Sequence, residues 1–387
     1  MRGAAVLRSP LILGPRSVMR DTKLTLILLG ILVFISLGFV LHLLEPILLP
    51  FVVAVFLAQI FAPLNAALRR RGVPGALSIL LVLVLVSIGI VLFSWVVYSS
   101  AQSFKEAMPR YQARLQGMLE AVSGWLAAAF PRLAFQIEHW NWERAFEVSS
   151  VTGFLGTMVG TFLIFFNDAF LILLFLIFLL SGSQAFPGKV RRAFAGELAE
   201  RLGTVTRNVQ TQVRKYLLTK TLINLTTGTL VATLLAAFGV DFPLLWGLLT
   251  FLAHYIPNVG AVISVGLPAA FLFLQFSPGK ALLIAAVNAA LQLVMGNAVE
   301  PRIMGTSLNL SPLLVLLSLI FWGWLWGAWG MVLAVPITSM IKIICENVEP
   351  LRPLAVLMSE TVEPPPGQTS PERNTEAGET RMPSELT

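Results

Sequence analysis

The chain has 387 residues, 56% of them hydrophobic and only 12% charged, well below the roughly 25% charged residues of a soluble domain. Its net charge of +7 does not mark a nucleic-acid groove, because the basic residues cluster beside apolar runs, as in membrane proteins. The single cysteine, Cys345, excludes an intramolecular disulfide and a cysteine-based metal cluster.

Several apolar runs exceed the roughly 18 residues that mark a membrane span, and the mean hydropathy is +0.81. The expected fold is an all-α integral membrane protein with about eight transmembrane helices. Residues 1–23 form a basic N-terminus. The first three spans, at 24–44, 47–67 and 76–98, fill residues 24–98. No small-residue cleavage site follows the first, which reads as a span and not as a removed signal peptide. A hydrophilic segment, 99–152, separates them from the fourth span at 153–180. A second amphipathic segment, 181–216, precedes the C-terminal spans, 217–346, predicted at 217–238, 244–276, 281–299 and 311–344. The tail, 347–387, is rich in Pro, Glu, Ser and Thr from about residue 361 and is expected to be disordered there.

Lysine and arginine placement predicts orientation. Residues 1–23 carry Arg2, Arg8, Arg16, Arg20 and Lys23 against one acid, and Arg69, Arg70 and Arg71 follow the second span. The 182–216 stretch holds seven basic residues against Glu197 and Glu200, whereas 99–150 balances five against five. Both termini are therefore expected in the cytoplasm, with 99–152 outside.

Within 99–152, Phe104, Met108, Tyr111, Leu115, Met118, Val122 and Trp125 recur at alternating 4 and 3 spacing, an apolar stripe on one helix face. A helix lying on the lipid surface and a self-association seam both fit it, and Pro109 suggests a start or bend. Val190, Phe194, Leu198, Leu202, Val205, Val209 and Val213 form a second stripe, running into the fifth span as a nearly continuous amphipathic helix.

The sixth and eighth segments exceed 30 residues and carry breaks, at Pro257 in one and at Gly327, Gly330 and Pro336 in the other. Strong tilt and re-entrant or discontinuous helices both satisfy that length. Glu300, Pro301 and Arg302 sit together between two apolar runs, where charges are costly and usually functional.

No P-loop precedes either Gly-Lys pair, no HExxH occurs, and three histidines are too few for an evident metal site. No ATP hydrolysis, enzyme activity, cofactor or metal is expected. Asp168, inside the fourth span, reads either as a proton or cation carrier or as an interhelix hydrogen-bonding group. Asn288, Gln292 and Glu300 share one face of the seventh span, with Asn297 nearby, as a polar pathway or an interfacial cap. Pro257, Asn258 and Gly260 interrupt the sixth, either exposing backbone groups to an ion or polar solute or forming a packing kink. Lys220, one turn from Asn224, is expected to snorkel to the surface. Gly156 and Gly160, and Gly323 and Gly327, form small-residue patterns that permit close helix contact. Trp322, Trp326 and Trp329 share a helical face that Trp324 leaves, as an aromatic belt or a route lining.

The run from His254 to Ala261, with Glu300-Pro301-Arg302-Ile303-Met304-Gly305, Leu310-Ser311-Pro312, Gly327-x-x-Gly330 and Pro336, resembles the motifs of the autoinducer-2 exporter (PerM-like permease) family over roughly residues 25–355. The resemblance implies an eight-span bacterial inner-membrane protein that forms homo-oligomers. It also implies export of autoinducer-2 or, as in some members, Na+(Li+)/H+ antiport. The reading is a transporter of a small polar solute, coupled to H+ or Na+, with the bilayer and further copies of itself as partners and no nucleic acid. Glu300, Arg302 and the break at Asn258 would form its pathway, with Asp168 carrying the coupling ion. An oligomeric channel or scaffold is the alternative of another class.

Overall fold

Long apolar stretches give long helices, several of which run through an internal proline such as Pro50, Pro63 or Pro109. The computed structural model describes residues 15–129, 168–182, 188, 192–194, 196–304 and 310–360. Its helices are α1 (Pro15–Leu43), α2 (Glu45–Arg70), α3 (Gly75–Ala129), α4 (Asp168–Gly182), α5 (Gly196–Ala237), α6 (Pro243–Ala253), α7 (Val259–Gln275), α8 (Pro278–Val294), α9 (Glu300–Met304), α10 (Pro312–Asn347) and α11 (Arg352–Leu357). A π-helical turn, Met295–Val299, joins α8 to α9 without interrupting the helix. Among the described residues the only strand-like pairing is an isolated bridge between Leu310 and Ser359.

Among the described residues, five helical stretches are long and apolar enough to cross a membrane: Glu45–Arg70, Gly75–Trp125, Leu202–Ala237, Pro278–Met304 and Pro312–Asn347. The protein is therefore an all-α membrane protein. The first and fourth expected spans correspond to shorter apolar helices, Leu28–Leu43 and Asp168–Gly182. Residues 153–167 of the fourth, with Gly156 and Gly160, lie outside the described residues.

The sixth segment is a helical hairpin, α6 folding back onto α7. Gln275, at the end of α7, accepts from the Asp241 N–H at 2.9 Å and donates to the Gly239 carbonyl at 2.9 Å, both just before α6. Trp246 and Phe271 pack at 5.3 Å between the arms. The tip, 254–258, turns through Asn258 at φ +61°. A Cβ on Gly260 would run into the Ala253 carbonyl, so only glycine lets the chain reverse so tightly.

The eighth segment is a second hairpin. Trp326 and Gly327 leave helical geometry inside α10, Gly327 at φ +59°. Trp322 Nε1 donates to Thr338 Oγ1 at 3.3 Å, whereas in an unbroken helix sixteen residues span about 24 Å. The mouth is closed by the Ser311 N–H donating to the Met358 carbonyl at 3.0 Å. Both long segments thus fold back on themselves. Pro336 lies inside the second arm and does not break it, because the reversal is already made at Gly327. Pro301 likewise lies within α9. Its missing N–H is accommodated by the preceding π-turn, in which Glu300 N–H reaches back to the Met295 carbonyl.

Helix α3 runs through Pro109 without ending, so no new helix starts there. The first half of its apolar stripe is neither on lipid nor free for a partner: Phe104 and Tyr111 pack into the core at the mouth of the first hairpin. Val122 and Trp125 remain exposed. Helix α5 is continuous from Gly196, joining the second stripe to the apolar span. It meets α6 where a Cβ on Gly228 would lie 2.6 Å from the Gly247 carbonyl, and one on Gly247 2.5 Å from the Gly228 carbonyl. The hairpins touch at their tips, Ile256 packing with Leu319, Trp322, Leu325 and Trp326.

Candidate functional site

The reversal at 254–258 leaves a space between the first hairpin's tip, α5 and the end of α8. It is a cavity of about 660 Å³, lined by Lys220 of α5, His254, Pro257 and Asn258 of the tip, Gln292 of α8, Asn297 of the π-turn and Glu300, with apolar residues of α7 and α8 between them. A mostly apolar cavity with a few convergent polar groups is the usual form of a ligand site.

Each polar group is placed by its helix. Lys220 and Asn224 are one turn apart on the buried face of α5, and Asn288 and Gln292 one turn apart on that of α8. The π-turn adds an extra residue before Glu300 and rotates it relative to the α8 stripe. Glu300 there ion-pairs with Lys220. Lys220 is only 4% exposed, so it does not snorkel to the surface. Its whole ammonium charge is neutralised within the protein, as a buried cation requires.

Behind the pair, His254 Nδ1 lies 2.9 Å from the Thr250 carbonyl and 3.3 Å from Ser264 Oγ. A carbonyl only accepts, so the neutral ring carries its hydrogen on Nδ1. Tyr255 and Thr221 hydroxyls meet at 2.7 Å, tying the tip to α5. Asn288 Nδ2 donates to the Ser264 carbonyl at 3.2 Å. Both amide atoms of Asn224 and Gln292, Asn288 Oδ1 and Thr250 Oγ1 are buried with no protein hydrogen-bond partner. Leaving such a group unpaired costs about 1–3 kcal/mol.

Of the residues expected from sequence, Asn258, Gln292, Asn297 and Glu300 come together at the cavity, with Pro257. Gly260 shapes the turn, and Asn288 is buried beside the cavity without lining it. Arg302 is exposed and outside the lining; one helical position beyond Pro301 turns it away from Glu300, and Lys220 supplies the counter-charge. Asp168 is also outside the lining, on a helix whose Ile172, Leu176 and Leu180 pack against α2 and α3. Lys220, read as snorkelling rather than binding a solute, and His254, at the head of the Pro257 break, were not assigned to the site from sequence. The available signal was the polar sequence Lys220, Asn224, Thr227 on one face of an apolar helix. Of the tryptophans, Trp322 and Trp326 are buried, their rings 5.1 Å apart, while Trp324 is exposed.

At the other end of the first hairpin, Asp241 Oδ2 accepts from Arg110 at 2.6 Å and from Tyr111 at 2.5 Å. Arg114 donates to the Phe276 carbonyl at 3.2 Å. Burial first, then the Asp241 carboxylate, pushes the Tyr111 phenol up to about 12. The hydrogen bond with Tyr111 first, then the Asp241 carboxylate, raises Arg110.

Apolar helices, two helical hairpins and a partly open cavity carrying a few polar groups among apolar ones define a polytopic helical membrane protein of the transporter class. Residues 29–349 match the family described as AI-2E family transporter, and the chain belongs to that family. It is 33% identical over 334 residues to the AI-2 transport protein TqsA of Escherichia coli (strain K12), covering 86% of this chain and 95% of that protein. A Haemophilus influenzae protein, whose name specifies transport but no solute, is 32% identical over 326 residues, 83% of this chain and 92% of its own. YhhT of E. coli (strain K12), also named for transport without a solute, is 31% identical over 321 residues, 82% and 89% of the two chains.

Proposed function

We propose that this protein carries a small polar solute across the bacterial inner membrane without hydrolysing ATP, binding it in the cavity between the first hairpin's tip, α5 and α8. The observation that carries this reading is the cavity itself, where buried Lys220, His254 and Gln292 meet half-buried Glu300 and, toward its open side, Asn258 and Asn297. Autoinducer-2 is the first candidate solute, since a relative matched over most of both chains is named for its transport. Net neutrality of the Lys220–Glu300 pair suits an uncharged solute better than an ion of either sign. In this reading both termini are cytoplasmic, so the mouth of the first hairpin faces outward and the cavity lies toward the cytoplasm. The exposed Val122 and Trp125 on α3 would serve contacts between copies of the chain.

A second reading, Na+(Li+)/H+ antiport, draws support from the same ion pair, because a small cation would compete with the Lys220 ammonium for Glu300. Purified protein in liposomes with an internal pH-sensitive dye separates the two. A pH jump is followed by Na+, Li+ or autoinducer-2, for wild type, Glu300→Gln and Asp168→Asn, with autoinducer-2 content of the vesicles measured alongside. Uptake of autoinducer-2 lost in Glu300→Gln supports the first reading, and cation-dependent proton movement the second. If Asp168→Asn alone abolishes the response, the coupling site lies in α4 and not at the cavity. No response to any addition overturns both readings in favour of a scaffold.

A further inference from the structure

The buried stripes of the four helices around the cavity change character along their length in the same direction. Toward the hairpin mouth they are apolar: Val231 on α5, Phe271 and Leu272 on α7, Ile284 on α8. Next to the cavity they are polar, and the polar stretch extends one full turn past the lining. Lys220 is followed by Asn224, His254 is preceded by Thr250, and Gln292 is preceded by Asn288. None of these three deeper residues lines the cavity. All three are at most 1% exposed, and each has at least one polar atom with no protein partner.

A packed membrane core gains nothing from three such groups, since leucine would fill each position without the unpaired polar atom. Asn224 lacks partners for its donor and its acceptor alike. The group it meets must therefore both give and take a hydrogen bond, as water and hydroxyls do. We infer that Asn224, Thr250 and Asn288 line a polar passage, closed in this structure, that continues the cavity toward the hairpin mouth and takes water and the uncharged hydroxyl or carbonyl groups of the solute. The passage ends at the aromatic cluster of Trp246, Phe242 and Phe271, whose rings pack at 5.3–5.8 Å. That cluster closes the mouth side. Opening requires α6 to move from α5, because Gly228 and Gly247 hold their backbones in contact. This rests on the proposed function for the identity of the solute but not for the existence of the passage.

The test needs no solute. In a Cys345→Ala background, Asn224→Cys, Thr250→Cys and Asn288→Cys are each treated with N-ethylmaleimide in proteoliposomes and read by mass spectrometry. Val231→Cys and Leu272→Cys serve as core references and Asn297→Cys as the cavity reference. Only a thiolate reached by water reacts, so the three polar positions are expected to be modified at least about tenfold faster than the core references. Rates no faster than at Leu272→Cys would overturn the passage while leaving the cavity and its transport assay untouched. Faster labelling without transport of any solute would keep the passage and remove the proposed function. Should one variant not fold, the other two read the same passage: labelling of either well above the Leu272→Cys rate supports it, and labelling of both at that rate overturns it.

Discussion

Lys220 is the residue at which an ordinary sequence rule gives way. A lysine in an apolar helix normally reaches for the surface, yet here its ammonium is held inside by Glu300 from a part of the chain 80 residues away. Removing one partner of such a pair strands the other charge. Lys220→Met or Glu300→Gln is therefore expected to destabilise by about 3 kcal/mol, while the double variant recovers most of that loss. Thermal unfolding midpoints in detergent check the cycle, and additive losses would mean that the two groups act independently. Tyr111 makes a pH prediction. Its phenol is raised from 10.0 to about 12, so its stabilising contact with Asp241 is intact below pH 10 and lost as pH rises toward 12. In ultraviolet titration, the difference between the wild-type and Tyr111→Phe curves should show one phenol ionising in that upper range.

At the scale of elements the hairpins shape the cavity, and glycines shape the hairpins. A Cβ on Gly330 would overlap the Trp322 carbonyl, and one on Gly247 would press on Gly228 across the α5–α6 contact. Overpacking of this kind costs about 1–3 kcal/mol, so Gly247→Ala and Gly330→Ala should each lower the unfolding midpoint. Gly266→Ala, with open space around it, should not. The fold of α10 is directly measurable. Spin labels at Leu313 and Ile344, both exposed, would sit about 47 Å apart on a straight helix. Pulsed electron resonance should instead give a far shorter distance, and a value near the straight-helix length would exclude the hairpin. Much of this scale was legible: the breaks at Pro257, Asn258 and Gly327 and the continuity of α5 were all anticipated. The direction taken after each break was not, because a break and a reversal have the same local residues. Gly228 and Gly247 were passed over for a related reason. Gly228, Ala232 and Ala236 do recur at a spacing of four on α5, but such a pattern does not say that its partner is Gly247 on α6.

For the whole molecule, the sequence by itself determined the medium and the material. Composition and hydropathy required a helical membrane protein, since unpaired backbone cannot be left in lipid. The motifs around His254–Ala261 and Glu300–Gly305 pointed to the family that residues 29–349 match. The stripe of Asn288, Gln292 and Glu300 drew attention to the right face of α8. Only the tertiary structure decided which polar groups share a space. It brought Asn258, Gln292 and Glu300 together around one cavity, supplied Lys220 as the counter-ion, and left Arg302 and Asp168 outside the lining. The reason is geometric. Helical periodicity fixes which face of a helix a residue occupies, but the partner of that face is set by two chain reversals. These depend on backbone contacts between residues that are close only once the hairpins have formed.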